Sequence, residues 1–342
     1  LMDKKSLTLI FGLAVLFLFG ATRMSDGFYN IDEVIYFIGA EAFWRTGSFA
    51  VQNGFESFHS DDLRVWLLSE GPSGLTPQYP LGLTLAGFPL MELLGQRTFI
   101  FLNVCAGIGT LFVTYALAIR LFGSKQVAYI AIILLAFCSF WPEFVLAQWP
   151  HSLSIFCTSC AIYFFLVASE NSQRVGHILL MAGLSGGMVA VGLFFRLEAI
   201  LLLPAFAAIA ILFAQRPVVV MAGGALGILP VLVVMMLLNE ARFGTLNPLS
   251  YGSVGGATVA TRHLIPAIAM LVGLAGLICY RVGGGFDRRT GRIIVFVGGI
   301  CLCALALSPY GHMLTRIARG AHALLIDSTV IVDDRPGVFR QP

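Results

Sequence analysis

The chain has 342 residues, of which 58% are hydrophobic and 11% are charged, and its mean hydropathy is +0.88. These proportions exclude an ordinary soluble globular domain, in which about a quarter of the residues carry charge. The formal net charge of +3 is small and no basic patch with interleaved aromatic residues is present, so the sequence does not indicate nucleic-acid binding. Many apolar runs of about 20 residues instead predict an all-α polytopic membrane protein.

The apolar runs predict about nine transmembrane helices. Lys4 and Lys5 precede the first run and no small-residue cleavage site follows it, so we expect a retained span rather than a signal peptide. The predicted spans are residues 6–23, 98–119, 126–143, 151–169, 176–194, 197–214, 217–238, 263–281 and 292–309.

The segment 24–97 between the first two spans carries most of the polar residues, and we predict two surface helices in it. Asn30 is a good N-cap and Glu33 completes a capping-box pattern, while Gly47 is typical of a helix end. Apolar and acidic residues mix along 32–46, which favours a helix lying on the membrane rather than crossing it. The second surface helix is predicted at 79–95, a short apolar piece with two prolines and three glycines.

Charge counting favours a surface position for residues 79–95. If this piece does not cross the membrane and the N-terminus is cytoplasmic, most charged residues of the cytoplasmic loops are basic, in agreement with the positive-inside rule. The basic residues on that side are Lys4, Lys5, Arg120, Lys125, Arg174, Arg216, Arg281, Arg288, Arg289 and Arg292. The sequence then predicts a transmembrane domain over 1–309 and an outer-face tail over 310–342, the possible start of a truncated C-terminal region.

Asp32 and Glu33 are the predicted catalytic residues. Two adjacent carboxylates beside a membrane are costly unless they are used or solvated, and the helix dipole favours a negative charge at Asp32. The alternative is a capping box with two solvated carboxylates.

Cations near the same face predict a site for an anionic lipid headgroup. Arg196 can bind a phosphate through two hydrogen bonds, although an ion pair with Glu198 is an equal alternative. The other predicted phosphate- or lipid-binding residues, which could also belong to an ordinary polar loop, are Arg242, Arg262 and His263.

Five further residues are predicted to bind substrate: Tyr36, Gln78, Tyr79, His151 and Tyr251. His151 follows Gln148-Trp149-Pro150 at a turn on the same face, where a single histidine is more often structural than a ligand. No HExxH, Walker A or convincing metal-ligand pattern is present, so no cofactor is predicted and a divalent metal is possible but unsupported.

In sequence order these pieces resemble the GT-C glycosyltransferase superfamily, nearest to its protein O-mannosyltransferase and aminoarabinose transferase branch. The resemblance covers roughly residues 1–265 and rests on four motifs after the Asp-Glu pair: WRTGSF at 44–49, YPLG at 79–82, FRLEA at 195–199 and RFGTLNPLSYG at 242–252. It departs from relatives that carry an Asp where this chain has His151, which puts a metal-dependent mechanism in doubt. Gln78 replaces the Lys of aminoarabinose transferases, which argues against that activity.

The resemblance implies transfer of a sugar from a polyprenyl-phosphate donor to a hydroxyl of a lipid, glycan or protein acceptor, with Asp32 as the base. Because the donor carries its own leaving group, one carboxylate suffices, and direct displacement with inversion is expected. The implied location is a bacterial inner membrane, with the N-terminus cytoplasmic and the active site periplasmic. The alternatives are a transporter or flippase of lipid-linked substrates and a non-catalytic membrane subunit.

Overall fold

A computed structural model of the chain describes residues 2–24, 27–58, 60, 63, 67–170, 174–250, 273–274, 276–278, 281 and 293. The chain divides into two compact units, Leu1–Cys279 and Tyr280–Pro342, and every element described below lies in the first. The predicted span 292–309 and the tail 310–342 lie outside the described residues except for position 293, as does the span 263–281 except for a few positions. The predicted boundary at residue 309 therefore stays a prediction.

The described part of the chain is mostly helical. Its helices are α1 (Lys4–Arg23), α2 (Ile31–Thr46), α3 (Phe55–Phe58), α4 (Gly82–Gly87), α5 (Met91–Leu94), α6 (Thr98–Phe122), α7 (Lys125–Phe137), α8 (Trp141–Leu146), α9 (His151–Ala168), α10 (Val175–Phe195), α11 (Leu202–Phe213) and α12 (Pro217–Phe243). Short 3₁₀ turns occupy Phe88–Leu90, Gly95–Arg97 and Leu197–Leu201. An antiparallel hairpin, β1 (Leu68–Gly71) with β2 (Gly74–Pro77), pairs Leu68 with Pro77 and was not predicted.

Five helical runs are long and apolar enough to cross a membrane: Lys4–Arg23, Gly82–Phe122, His151–Ala168, Val175–Phe195 and Pro217–Phe243. Two shorter apolar runs, Lys125–Phe137 and Leu197–Phe213, correspond to two further predicted spans. The described residues therefore support a multi-pass helical membrane protein. The predicted total of nine spans stays a prediction.

One face of α1 is apolar and exposed, as expected of a helix in contact with lipid. Leu7, Phe11, Val15 and Phe19 follow one another at every fourth position and are each at least half exposed. The opposite face buries Ile10, Leu13, Phe17 and Ala21 against α6 and its neighbours. Because an exposed apolar stripe of this length is unfavourable in water, it indicates the lipid-facing side of the bundle.

Residues 79–95, predicted as one surface helix, are divided into short helical pieces. Pro80 is followed by the short α4, Pro89 falls in a 3₁₀ turn, and α5 ends at Gly95 with a φ of 54°. Proline removes a backbone donor and a positive φ interrupts the helix, which explains the division into short pieces. The orientation of these pieces relative to a membrane stays a prediction.

Contacts between helix ends define two ends of the bundle. At one end, Arg97 Nη1 donates a hydrogen bond to Thr22 O at 3.0 Å, so α6 begins where α1 finishes. At the other end, the Tyr115 hydroxyl donates to Asp3 Oδ2 at 3.1 Å, and Arg120 forms an ion pair with Glu170 at 2.5 Å. We call the end that carries Arg97, α2 and the hairpin the site end.

Helices α10 and α12 touch along a seam of glycines. A Cβ added at Gly186 would lie 2.0 Å from Gly224 O, and one added at Gly227 would lie 1.9 Å from Gly183 O. Only glycine therefore permits the observed approach at these positions. Both helices finish at the site end, where α10 is capped by Arg196 and α12 carries Arg242 in its last turn.

Candidate active site

Helix α2 positions the two predicted catalytic carboxylates in its first turn. Asn30 is the N-cap and its side-chain oxygen accepts a hydrogen bond from the Glu33 backbone N–H at 3.2 Å, as predicted. Gly47 ends the helix with a φ of 70°, also as predicted. These two local signals fix where α2 begins and ends, and so place Asp32 at its second residue.

Asp32 lies against Tyr79, which comes from the segment between β2 and α4. The Tyr79 hydroxyl donates a hydrogen bond to Asp32 Oδ1 at 2.5 Å. The Tyr79 ring stacks on Tyr36, one helical turn after Asp32, with ring centroids 4.8 Å apart. Asp32 is half-buried, and no hydrogen bond to its Oδ2 is present within the described part of the chain. This second oxygen therefore has capacity for a further hydrogen-bond donor.

Arg242 is buried behind Tyr79 rather than open to a ligand. Its side chain is 2% exposed, and Nη2 donates to Pro77 O and to Tyr79 O, the latter at 2.8 Å. Its Nη1 lies 3.4 Å from Asn239 Oδ1, and its guanidinium packs over the Phe243 ring. The prediction that Arg242 contacts a donor phosphate does not fit this placement, because its Nη2 is used to hold the backbone on both sides of Gln78.

Two glycines allow the first loop, the segment between α1 and α6, to pack closely against the ends of α10 and α12. A Cβ at Gly71 would lie 1.7 Å from Arg242 O, and a Cβ at Gly82 would lie 2.5 Å from Phe194 O. The backbone at Gly82 therefore lies directly against the end of α10. The hairpin and the start of α4 are held against the two helices that carry Arg196 and Arg242.

Glu33 is buried and joins the first loop to the turn between α8 and α9. It is 3% exposed, its Oε2 accepts a hydrogen bond from Tyr29 N at 2.6 Å, and its Oε1 accepts one from Gln148 N at 3.0 Å. The predicted capping box is modified, because Glu33 binds the residue before the N-cap instead of the N-cap itself. Since both oxygens are occupied by backbone N–H groups, the contacts of Glu33 fit a structural role better than the predicted catalytic one.

The turn between α8 and α9 is also fixed by Asn103 of α6, a residue that the sequence analysis did not single out. Asn103 Nδ2 donates to Ala147 O at 2.7 Å and to Trp149 O at 2.6 Å. The sequence signal that could have identified it is an asparagine within an apolar run, and the structure shows that this asparagine is fully buried.

His151 begins α9 and is half-buried at the site. Its ring stacks on Phe144 with centroids 4.5 Å apart, and it lies within electrostatic range of Arg196, Glu198 and Asp32. The structure therefore brings together three residues that were predicted from distant parts of the sequence.

Arg196 forms an ion pair with Glu198, which is the predicted alternative to phosphate binding. Its Nε and Nη2 donate to the two oxygens of Glu198, at 3.2 Å and 2.5 Å. The side chains are 30% and 60% exposed, respectively, so the pair is open to solvent or to a ligand. An exposed ion pair of this kind contributes about 0–1 kcal/mol, so replacing Glu198 by another anion costs little free energy.

Three predicted residues, Tyr251, Arg262 and His263, lie outside the described residues. Gln78 is half-buried, and its backbone N–H donates to Leu67 O at 2.9 Å. Among the residues that the structure describes, no group of three His, Cys, Asp or Glu side chains is arranged to hold a metal ion.

The described helices and the site define a multi-pass membrane protein with a carboxylate-bearing loop docked on one end of its bundle. Residues 89–239 match the family model described as dolichyl-phosphate-mannose-protein mannosyltransferase, a family of the GT-C superfamily. The match confirms the predicted resemblance, over those residues, to a family of membrane glycosyltransferases of the GT-C type. It begins after Asp32 and ends before Arg242. Searches of curated proteins and of solved structures gave no match.

Proposed function

We propose that the protein transfers a sugar from a polyprenyl-phosphate donor to an acceptor hydroxyl, with Asp32 as the general base. The observation that carries this proposal is the setting of Asp32, which Tyr79 holds through Oδ1 while Oδ2 accepts no hydrogen bond from the described residues. The family match supports the reaction class, because the description of that family names a lipid-phosphate-linked mannose as the donor. Mannose is therefore the sugar to test first.

In the proposed reaction the acceptor oxygen attacks the anomeric carbon of the sugar as its proton passes to Asp32 Oδ2. The bond from the anomeric carbon to the phosphate oxygen breaks, and polyprenyl phosphate leaves with the bonding electrons. Attack from the face opposite the phosphate inverts the anomeric configuration. A positioned base of this kind contributes roughly 10²–10⁴-fold to the rate.

The leaving phosphate requires a cation, and we propose Arg196 for this role. Its fork of two donors already binds a carboxylate, Glu198, in the geometry that a phosphate would use. The donor phosphate would replace Glu198 at the exposed pair. Arg262 and His263 remain predicted phosphate contacts, and His151, which lies within electrostatic range of Arg196 and Asp32, remains a predicted substrate contact.

Arg242 is proposed to position the base instead of binding the donor. It holds the Pro77 and Tyr79 carbonyl groups, and the Tyr79 hydroxyl in turn orients Asp32. Glu33 has a comparable role on the other side of α2, where it holds the backbone of Gln148.

The remaining predictions concern the orientation of the protein in the membrane and the lipids around it. We propose that the site end faces the periplasm of a bacterial inner membrane, that the N-terminus is cytoplasmic, and that membrane lipids surround the bundle. The basic residues assigned to the cytoplasmic side, among them Arg120 at the opposite end of the bundle, support this orientation.

The decisive experiment compares Asp32→Asn with Glu41→Gln in nanodiscs supplied with tritiated mannosyl-phosphoryl-undecaprenol and cell-envelope extract. Glu41 lies on the same helix in an exposed ion pair with Arg45, so it controls for loss of a carboxylate from α2. We expect Asp32→Asn to lower the transfer rate by at least about 100-fold and Glu41→Gln to leave it within about twofold. Wild-type transfer by a folded Asp32→Asn protein would exclude Asp32 as the base. Movement of the lipid across the bilayer without release of polyprenyl phosphate would favour a flippase, and neither reaction would favour a non-catalytic subunit.

A further inference from the structure

The ion pair between Arg196 and Glu198 is held together by the local course of the chain. Helix α10 ends at Arg196, whose extended backbone leads into the 3₁₀ turn Leu197–Leu201, and Glu198 is the second residue of that turn. The Glu198 carboxylate accepts hydrogen bonds from Arg196 Nε at 3.2 Å and from Arg196 Nη2 at 2.5 Å. Because one residue separates the two, the carboxylate stays close to the guanidinium even when the pair opens.

Both side chains of the pair can be reached from outside the protein. Arg196 is 30% exposed and Glu198 is 60% exposed. The pair also belongs to the candidate active site, because His151 lies within electrostatic range of both its members and of Asp32. An anion that arrives at the site end can therefore contact the guanidinium, but it must compete with the carboxylate that is already bound.

The two phosphate compounds of the proposed reaction differ in charge. The sugar donor is a phosphodiester with a single negative charge, whereas the leaving polyprenyl phosphate is a monoester with a charge of about −1.5 to −2 near pH 7. A cation such as Arg196 attracts the monoester more strongly, which favours retention of the product over binding of new donor. A carboxylate beside the phosphate opposes this preference, because it repels the monoester nearly twice as strongly as the diester.

We infer that Glu198 competes with the phosphate for Arg196, and that its charge weakens binding of the product more than binding of the donor. Glu198 thereby promotes release of polyprenyl phosphate. The inference rests on the proposed function, in which Arg196 receives the leaving phosphate. In that reaction Asp32 takes up the acceptor proton and loses its charge, whereas Glu198 stays charged and repels the newly formed product.

The expected size of the effect follows from the exposed position of the pair. A closed pair of this kind is favoured over the open one by a factor of about 1–5, so removing it makes Arg196 about 2- to 6-fold more available. Two unit charges about 6 Å apart in water change a binding constant roughly threefold. Glu198→Gln is therefore expected to tighten donor binding about 5- to 20-fold and product binding about threefold more.

The test measures binding of two short-chain probes to the full chain in nanodiscs, without acceptor, at pH 8 and low salt. The probes are farnesyl phosphate, a monoester, and mannosyl-phosphoryl-farnesol, the matching diester, and each Kd is determined by isothermal titration calorimetry. Glu170→Gln is the matched control, because Glu170 forms an ion pair with Arg120 at 2.5 Å at the opposite end of the bundle. The decisive quantity is the ratio of the monoester Kd to the diester Kd.

Glu198→Gln is expected to lower both Kd values and to lower the ratio about threefold, while Glu170→Gln leaves both Kd values within twofold of the wild type. Glu198→Asp keeps the negative charge, so its ratio should stay within twofold of the wild-type ratio. In an Arg196→Gln background, Glu198→Gln should tighten diester binding only about threefold, because no guanidinium remains to compete for. An unchanged ratio in Glu198→Gln would overturn the inference, and so would weaker binding of both probes, which would show that Glu198 supports Arg196.

Transfer of mannose from tritiated mannosyl-phosphoryl-undecaprenol, measured with the same proteins, separates this inference from the proposed function. If the Kd values change as expected and no sugar is transferred, the competition at Arg196 stands and the proposed reaction fails. If sugar is transferred and the ratio does not change in Glu198→Gln, the reaction stands and the inference fails. Failure of the wild type and of Glu198→Gln to bind either probe would overturn both.

Discussion

Asn103→Leu tests whether the turn between α8 and α9 is held in place from inside the bundle. Leucine is larger than asparagine but has the same branched arrangement of four side-chain heavy atoms, so the substitution removes polar atoms without opening a cavity. The Asn103 Nδ2 donates to the carbonyl groups of Ala147 and Trp149 at 2.7 Å and 2.6 Å, and both lose this donor.

The size of the effect follows from these two contacts. Each carbonyl group left without a donor costs about 1–3 kcal/mol, which gives an upper limit of roughly 6 kcal/mol. Asn103 Oδ1 accepts no hydrogen bond from the residues that the structure describes, so its removal costs no observed contact and relieves a buried polar atom. Polar contacts in membrane proteins often contribute less than in water. We therefore expect the free energy of unfolding to fall by about 2–4 kcal/mol.

The assay is unfolding by sodium dodecyl sulfate in mixed micelles, followed by circular dichroism, with transfer activity measured in parallel. Thr110→Val on the same helix is the control, because the buried Thr110 hydroxyl bonds only to Ala106 O of its own helix. We expect the control to change the free energy of unfolding by less than about 1 kcal/mol. If Asn103→Leu were as stable as the control and fully active, the turn would not depend on Asn103 and the reasoning would be refuted.

Three further substitutions address the chain of contacts that leads to Asp32. Tyr79→Phe removes the hydroxyl that orients Asp32 and is expected to lower kcat about 10- to 100-fold with the fold intact, while an unchanged kcat would show that this hydrogen bond is dispensable. Arg242→Lys replaces the guanidinium that holds the Pro77 and Tyr79 carbonyl groups with a single ammonium group. Because Tyr79 orients Asp32, kcat should fall, while the KM for the sugar donor should stay unchanged. A raised donor KM would instead support the original prediction of phosphate binding. Gly82→Ala forces a backbone shift and should destabilise the protein by about 1–3 kcal/mol, whereas Gly176→Ala, measured in the same unfolding assay, should be nearly neutral.

Local signals in the sequence were sufficient to predict where α2 begins and ends and which residues form its first turn. Asn30 and Gly47 lie at the two ends of the helix, and each acts through contacts within a few residues of itself. The position of Asp32 follows from them. The helix boundaries of α1, α6, α9 and α10 likewise agree closely with the apolar runs, because length and hydrophobicity alone determine such segments.

Contacts between distant residues could not be predicted in this way. Arg242 binds carbonyl groups 165 and 163 residues away, and Glu33 binds a backbone N–H group 115 residues away. The sequence predicts Glu33 as catalytic and Arg242 as a phosphate or lipid contact, because it does not show that the segment between α1 and α6 folds over them. The hairpin was missed for a different reason: its strands are four residues each and lack a clear alternation of polar and apolar residues.

The glycine seam between α10 and α12 has a mechanical consequence for substrate binding. Arg196 follows Gly186 by about 15 Å along α10, and Arg242 lies beyond Gly227 on the neighbouring helix, so the two cations stand at the ends of a pair of touching backbones. No side chain separates these backbones at the seam, and direct contact between main chains leaves no layer to compress. Changes in bilayer thickness or lateral pressure are therefore expected to tilt the two helices as one body. The seam would then keep its geometry in membranes of different composition, while the part of α12 after Pro230, which carries Arg242, can bend relative to it.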